Sequence, residues 1–450
     1  GITMSNKIFR ESCEYHSRGR KGKISIQLTK SCKNQKDLTL AYSPGVAGPC
    51  IEITNNIEKI WEYTAKGNMV AVVSDGTAVL GLGNIGPEAG LPVMEGKAVL
   101  FKAFAGIDAI PICLNNVFDT RGKTDPDKLI SVVRSLEPTF GGINLEDIGA
   151  PACFKVESEL KKIMNIPVFH DDQHGTAIIS LAGLLNACKI TGRKLQECKI
   201  VINGAGAAGI SCAETYILAG ARRENFILCD SKGVISKKRR DILPESEKGR
   251  FIADTNAETL ADALIGADIF IGLSVANCVT KEMIKTMAKD PIVFAMANPE
   301  PEINPMDAID AGAAVAGTGR SDYPNQVNNV LGFPGIFRGA LDTRARDINN
   351  EMKLAAANAL AELANEKIDD KAMAILAESY PEDYKKGYFN GNNPLKPELL
   401  IPKPFDPRVV PRVARYVAEA AIKTSTARTF PILDSYEDKI KTFLSTQGMT

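Results

Sequence analysis

The sequence has no excess charge of either sign, since its 54 Lys and Arg are matched by 54 Asp and Glu over 450 residues. A neutral chain offers no global field to draw it to nucleic acid or to an anionic membrane, so neither is expected as a partner. The one basic run, Lys237, Lys238, Arg239 and Arg240, is short and reads as a solvated loop. No apolar run is long enough to cross a membrane, and no signal-type apolar region stands near the N-terminus, so the expected location is cytoplasmic. The ten cysteines include no Cys-x-x-Cys pair, and no zinc site is indicated. Cys188, Cys198, Cys212 and Cys229 lie in apolar stretches, which fits buried reduced thiols better than a disulfide framework. Internal repeats and low-complexity linkers are also missing. Gly1-Ile2-Thr3 ahead of Met4 reads as an expression scar, with Met4 as the natural start.

What is present is an ordinary globular composition, 44% hydrophobic and 24% charged, at a length that suggests two or three domains. Strand-like apolar runs at 69–74 and 109–114 alternate with helical stretches, one of them opened by Asp125-Pro126, which argues α/β layering. A buried strand, Lys199-Ile-Val-Ile-Asn203, leads directly into Gly204-Ala205-Gly206-Ala207-Ala208-Gly209; a helix (210–218) and another strand (226–230) ending at Asp230 follow. Strand, G-x-G-x-x-G, helix, strand and a distal acidic residue form a dinucleotide site, with the pyrophosphate on the helix N-terminus. Asp230 suits a ribose 2′-hydroxyl and hence NAD. Ser231, Lys232, the 237–240 run and Lys248 suit a 2′-phosphate and tilt the reading toward NADP. Further units follow at 257–265, 269–273 and 291–297, placing Asn298 just past a strand on the ligand-binding side of such sheets. The amides between Asn325 and Asn329 could orient a ligand or serve an ordinary turn. Helices at 352–366 and 412–423, joined by a Pro-rich link (394–411), return the chain toward the first domain.

Two acidic pairs carry the chemistry. Glu146-Asp147 and Asp171-Asp172 each follow an apolar run of strand character, where like charges are costly unless a cation holds them. Oxygen ligands from two strand ends suit Mg²⁺ or Mn²⁺. The competing reading makes Asp171-Asp172 the cap of a helix expected over 175–187. Upstream, Tyr42 stands at the lip of a Tyr-Ser-Pro-Gly reversal, as packing or as a catalytic group. A glycine-rich run, 75–86, precedes Lys97; no helix is expected to open at once after Gly86, which sets this run apart from a dinucleotide loop. Lys97, placed near the start of an apolar helix, could be desolvated toward a working base or could snorkel to water.

Taken together and in order, these motifs make the chain resemble malic enzymes of the small type, without an appended acyltransferase domain. The likeness runs from about residue 38 to 339 and continues more weakly to about 432. It implies an N-terminal α/β substrate and metal domain (4–174), a Rossmann-type doubly wound NAD(P)-binding domain (175–343) and a helical C-terminal segment (344–450) packing back on the first. It implies oxidative decarboxylation of L-malate to pyruvate and CO₂ with NADP or NAD and Mg²⁺ or Mn²⁺, in a homodimer. By the same resemblance Tyr42 is the general acid, Lys97 the general base, Glu146, Asp147 and Asp172 the metal ligands, and Asn298 and Asn328 contacts to substrate and nicotinamide. Asp171 is expected to hold Lys97. One departure is Ala78, where larger animal relatives carry an arginine used on the substrate carboxylate. Two rivals stand beside this reading: an amino-acid dehydrogenase, which gives no reason for two acidic pairs, and a non-catalytic NAD(P) sensor, which gives none for Tyr42, Lys97 and the carboxylates together.

Overall fold

In a computed structural model, residues 6–446 are described; Gly1, Ile2, Thr3 and Met4 fall outside that range. Two parallel sheets organise the chain. The first has the order β2-β1-β3-β4, from β1 (Met69–Ser74), β2 (Asp108–Cys113), β3 (Gly142–Leu145) and β4 (Val168–His170), all parallel. The second, of six strands, has the order β10-β9-β8-β5-β6-β7, from β5 (Ile200–Asn203), β6 (Phe226–Asp230), β7 (Gly233–Val234), β8 (Ile269–Gly272), β9 (Ile292–Ala295) and β10 (Val315–Thr318). Only β7 is antiparallel. The order reverses beside β5, the doubly wound pattern that opens a crevice at the strand ends.

Period-two burial explains why the strands are apolar throughout. Val70 and Val72 face one core while Ala71 and Val73 face another, and Ile200 and Ile202 are likewise split from Val201. Each sheet is therefore covered on both faces, as parallel sheets require. The core containing Val70 and Phe169 is continuous with that containing Ile202 and Phe294, so one apolar interior joins the two sheets.

Several expectations need correcting. A helix does open at Gly86 and runs for 20 residues to Ala105, so Lys97 lies in its middle rather than near its start. Gly86 can begin it because Gly76 folds back at φ 70°, its backbone so close to Gly86 that a Cβ would sit 2.0 Å from the Gly86 carbonyl oxygen. The helix expected from 175 begins at Asp171 and continues to Thr191, with His170 rather than an aspartate at the cap position. Helical structure between Ala47 and Tyr63 is broken at Asn56. Cys188, Cys198, Cys212 and Cys229 are buried free thiols, whereas Cys13, Cys32 and Cys50 are exposed. The last helix, Leu433–Thr446, reaches the first unit, where Phe443 packs against Gly106 at the end of the Gly86–Ala105 helix. No helix among the described residues is long and apolar enough to cross a membrane.

Candidate active site

Because β3 and β4 are parallel neighbours with Leu145 opposite His170, their C-terminal ends deliver Glu146-Asp147 and Asp171-Asp172 side by side. One carboxylate oxygen each from Glu146, Asp147 and Asp172 falls within a 4.8 Å set. Asp147 takes a left-handed backbone (φ 55°), which an aspartate tolerates, and its N–H donates to Asp172 Oδ2 at 2.6 Å. Burial together with the neighbouring carboxylates pushes Glu146 well above its usual range, although Lys97 opposes this, and pushes Asp147 up to about 8. Three carboxylates so placed repel one another. Their hard oxygen donors, two buried and one partly exposed, fit a divalent cation.

Lys97 and Asp171 stand at the edge of this group. Lys97 Nζ is 2.6 Å from Asp171 Oδ2 and 3.0 Å from Glu146 Oε2, and lies 3.9 Å from the centroid of the Phe333 ring. Burial works to lower the lysine, as the sequence suggested, but Asp171 and Glu146 outweigh it and hold Lys97 above its ordinary value. Of the two readings left open for Lys97, neither names these partners, which come from 49 and 74 residues away in sequence. The aspartate Oδ2 also accepts from Asn329 Nδ2 at 3.0 Å, while Asp171 Oδ1 is buried without a partner.

The amide cluster divides its duties. Asn325 is buried and ties Ala316, Pro397 and Leu400 together through backbone groups. Asn328 caps a short helical turn by accepting from Val330 N–H at 3.0 Å. Its neighbour Asn329, which the sequence reading did not single out, is the one that reaches Asp171. Asn298 is exposed just beyond β9, beside a cis bond to Pro299. Tyr42 is 70% exposed at the end of the helix Gln35–Ala41, and its hydroxyl makes no hydrogen bond to Lys97 or to the carboxylates among the described residues. Of the residues read from sequence, the structure therefore gathers Glu146, Asp147, Asp171, Asp172 and Lys97, and leaves Tyr42 apart from them.

A brace behind the acidic turn was also not foreseen. Asp75, fully buried, accepts from Thr77 N–H (3.1 Å), Thr77 Oγ1 (2.7 Å) and Thr124 Oγ1. Thr77 Oγ1 in turn accepts from Gly149 N–H at 2.8 Å, and Ala78 N–H donates to the Asp147 carbonyl at 3.1 Å. The glycine-rich run thus wraps the Glu146-Asp147 turn. One turn past Asp171, a second buried group gathers four elements: His174 Nε2 lies 2.6 Å from Glu157 Oε1, Ser211 Oγ lies 3.2 Å from His174 Nδ1, and Lys353 Nζ lies 3.4 Å from His174 Nε2. Glu157 also accepts from His170 N–H at 2.6 Å, anchoring the turn that carries the aspartates.

In the second sheet, Gly204 to Gly209 form the turn between β5 and the helix Ala207–Leu218, with Gly206 at the cap. A Cβ on Gly209 would lie 1.7 Å from the Gly204 carbonyl oxygen, so glycine is obligatory there. Ala205, Ala207 and Ala208 fill the remaining positions of this turn. At the tip of β6, Asp230 is occupied: Arg239 holds both its oxygens at 2.9 Å, Lys248 lies at 3.2 Å, and Lys232 N–H donates at 2.9 Å. Arg239 also binds Asp241, which pairs with Lys232. Ser231 follows in the turn to β7.

Comparison with known proteins places this arrangement. Residues 21–161 match the family description "Malic enzyme, N-terminal domain" and residues 173–378 match "Malic enzyme, NAD binding domain". The chain is 53% identical over 422 residues to a bifunctional malic/malolactic enzyme of Bacillus subtilis, covering 93% of this chain and 94% of that protein. It is 52% identical to a probable NADP-dependent malic enzyme of Rickettsia prowazekii over 97% of its own length, and spans about half (54%) of that longer relative. A crystal structure of malic enzyme from Pyrococcus horikoshii superposes with a TM-score of 0.86 at 42% identity, covering 98% of this chain and 96% of that one. With two matched domains over most of its length and relatives near 50% identity, the chain belongs to the malic enzyme family.

Proposed function

We propose that the protein oxidatively decarboxylates L-malate to pyruvate and CO₂, with reduction of NADP and with a divalent cation held by Glu146, Asp147 and Asp172. The observation that carries this reading is the group of three carboxylates within 4.8 Å, flanked by Lys97, in a chain that also carries a dinucleotide-binding turn. Held by these carboxylates, a divalent cation would supply Lewis-acid polarisation of the C2 oxygen, and a nicotinamide in the second unit would supply the hydride acceptor. A cation on Glu146 would neutralise one of the two carboxylates that hold Lys97 protonated, freeing Nζ to take the proton of the C2 hydroxyl, while Asp171, hydrogen-bonded to that nitrogen, fixes its direction. Once C4 departs as CO₂, Tyr42 would return a proton to C3, for which it must close on the acidic group from which it stands apart here. Glu146 is shared between Lys97 and the acidic group, so cation and base are set side by side. Asn298 and Asn328 would orient the carboxylate and the nicotinamide.

Preference for NADP is supported by the cations around Asp230. Arg239 and Lys248 already occupy the carboxylate that an unphosphorylated ribose needs, and with Lys232 they gather positive charge of the kind that a 2′-phosphate takes. A homodimer is supported by the N-terminal arm, where Leu40, Ile51 and Ile57 are 64%, 59% and 67% exposed and the helices bury no residue of their own. A second copy would cover these apolar groups, and Tyr42 stands among them.

The test is absorbance at the reduced-nicotinamide band with L-malate and Mn²⁺, run with NADP and with NAD, each with and without EDTA. Reduction that requires metal, and that falls when Asp172→Asn weakens Mn²⁺ by more than about tenfold, is the expected result. Metal-independent reduction, or binding of both cofactors with no turnover, refutes the assignment.

A further inference from the structure

The chain has a single tryptophan, Trp61, and three cations stack on its ring. Lys66 Nζ lies 4.9 Å from the ring centroid, and the guanidinium carbons of Arg344 and Arg428 each lie 5.4 Å from it. Lys66 is already satisfied, donating to the carbonyls of Glu137 and Phe140 at 2.5 and 2.7 Å. The arginines are not. Arg428 gives Nε to the Arg344 carbonyl at 2.6 Å and Nη2 to the Asn165 carbonyl at 3.1 Å, both neutral acceptors. The Arg344 guanidinium has no hydrogen bond or ion pair among the described residues, and exposed Arg346 beside it has no ion pair there either. Glu58 and Glu137 are the carboxylates that act on Arg428, and neither makes an ion pair with Lys66, Arg344, Arg346 or Arg428 among the described residues. Burial, opposed by Glu58 and reinforced by Arg346 and Arg344, pushes the Arg428 guanidinium below its ordinary value, as an unneutralised group should respond.

The backbone makes the same point independently. Arg344 follows the helix Phe333–Asp342 with φ 45°, its N–H donating to the Leu341 carbonyl at 3.0 Å and the Ala345 N–H to the Ala340 carbonyl at 2.9 Å. This paired closure puts its left-handed residue where glycine is favoured, because a Cβ is disfavoured there. An arginine occupies the position instead, with its side chain over Trp61.

We infer that this face of Trp61 is a binding site for a small oxyanion carrying two or more charges, a phosphate ester or a dicarboxylate, held by the planar donors of Arg344 and Arg428. It is distinct from the acidic site, yet both touch one rigid element. The helix Phe333–Asp342, which Arg344 follows, begins at Phe333, whose ring backs Lys97, about 15 Å away along the axis.

Trp61 is its own reporter. Metal-free full-length protein is titrated with sodium pyrophosphate and, separately, with sodium succinate at constant ionic strength, with sodium chloride as control, while tryptophan emission is followed. A saturable change with at least one of the two is expected, absent with chloride and weakened by at least about tenfold in Arg344→Gly. The arm that responds names the class, phosphate or dicarboxylate. Glycine suits the backbone at 344, so weaker binding in that variant is not a folding defect. No saturable response to either anion, a response that chloride reproduces, or an unchanged affinity in Arg344→Gly overturns the inference.

Discussion

Replacing Lys353 with methionine tests the buried group that joins the two halves of the molecule. Lys353, on the helix Asn350–Leu363, is buried with no carboxylate within ion-pair distance. Glu157 faces it but is paired to His174, Asp347 is paired to Lys161, and Glu214 to Arg250, so burial prevails and lowers Lys353 from 10.5 to about 8. Lowering a lysine means that the unfolded chain binds a proton that the folded chain releases. Stability therefore rises with pH between about 8 and about 10.5, and below about 8 the full cost of the buried charge is present. The difference corresponds to about 3 kcal/mol in all, and to about 2 kcal/mol between about pH 7.5 and about pH 10. Methionine fills similar volume without titrating. Urea unfolding of both proteins at those two pH values should show the wild type gaining about 2 kcal/mol relative to Lys353→Met at the higher pH, whatever other groups do in common. Parallel pH dependences for the two proteins would mean that folded Lys353 titrates as it does in the unfolded chain, solvated and charged, and would refute its burial beside His174.

Two further outcomes follow from the cofactor turn. Arg239→Leu removes a bidentate contact from Asp230 and a donor for a 2′-phosphate, so the KM for NADP should rise by roughly ten- to a hundredfold while that for NAD moves little; equal losses for both cofactors would refute the NADP assignment. Gly209→Ala forces a Cβ into the Gly204 carbonyl and should abolish NADPH binding, followed by its fluorescence, with unchanged far-UV circular dichroism; retained affinity would show that the turn has room it is not drawn with.

Those elements whose signals are local were legible in the sequence. β1 spans the run 69–74 as expected from its continuous apolar character, five of its six residues being buried, and the strand, glycine turn and helix from Ile200 follow from a motif whose spacing is set by one close contact, Gly209 on Gly204. The acidic pairs were found because burying adjacent like charges after a strand is costly in any fold. What was missed depends on long-range pairing. Asp75 acts through Thr124 and Thr77 through Gly149, and neither pair is close in sequence. Asn328 and Asn329 are chemically identical neighbours, and only the phase of a single turn decides which one meets Asp171. The state of Lys97 stayed open for the same reason: its apolar neighbours are visible locally, its two carboxylate partners are not.

The helix Asp171–Thr191 has its first turn in the acidic site and most of its remaining length buried, beneath a core shared by both sheets. A continuous helix has no joint. A cation at the proposed site on its first turn and a nucleotide on the neighbouring helix Ala207–Leu218 would therefore stabilise one cooperative unit, and amide protons along residues 178–188 should exchange more slowly when either is bound. Occupation of one half is thereby felt as resistance to opening in the other, without any change in the average shape of either.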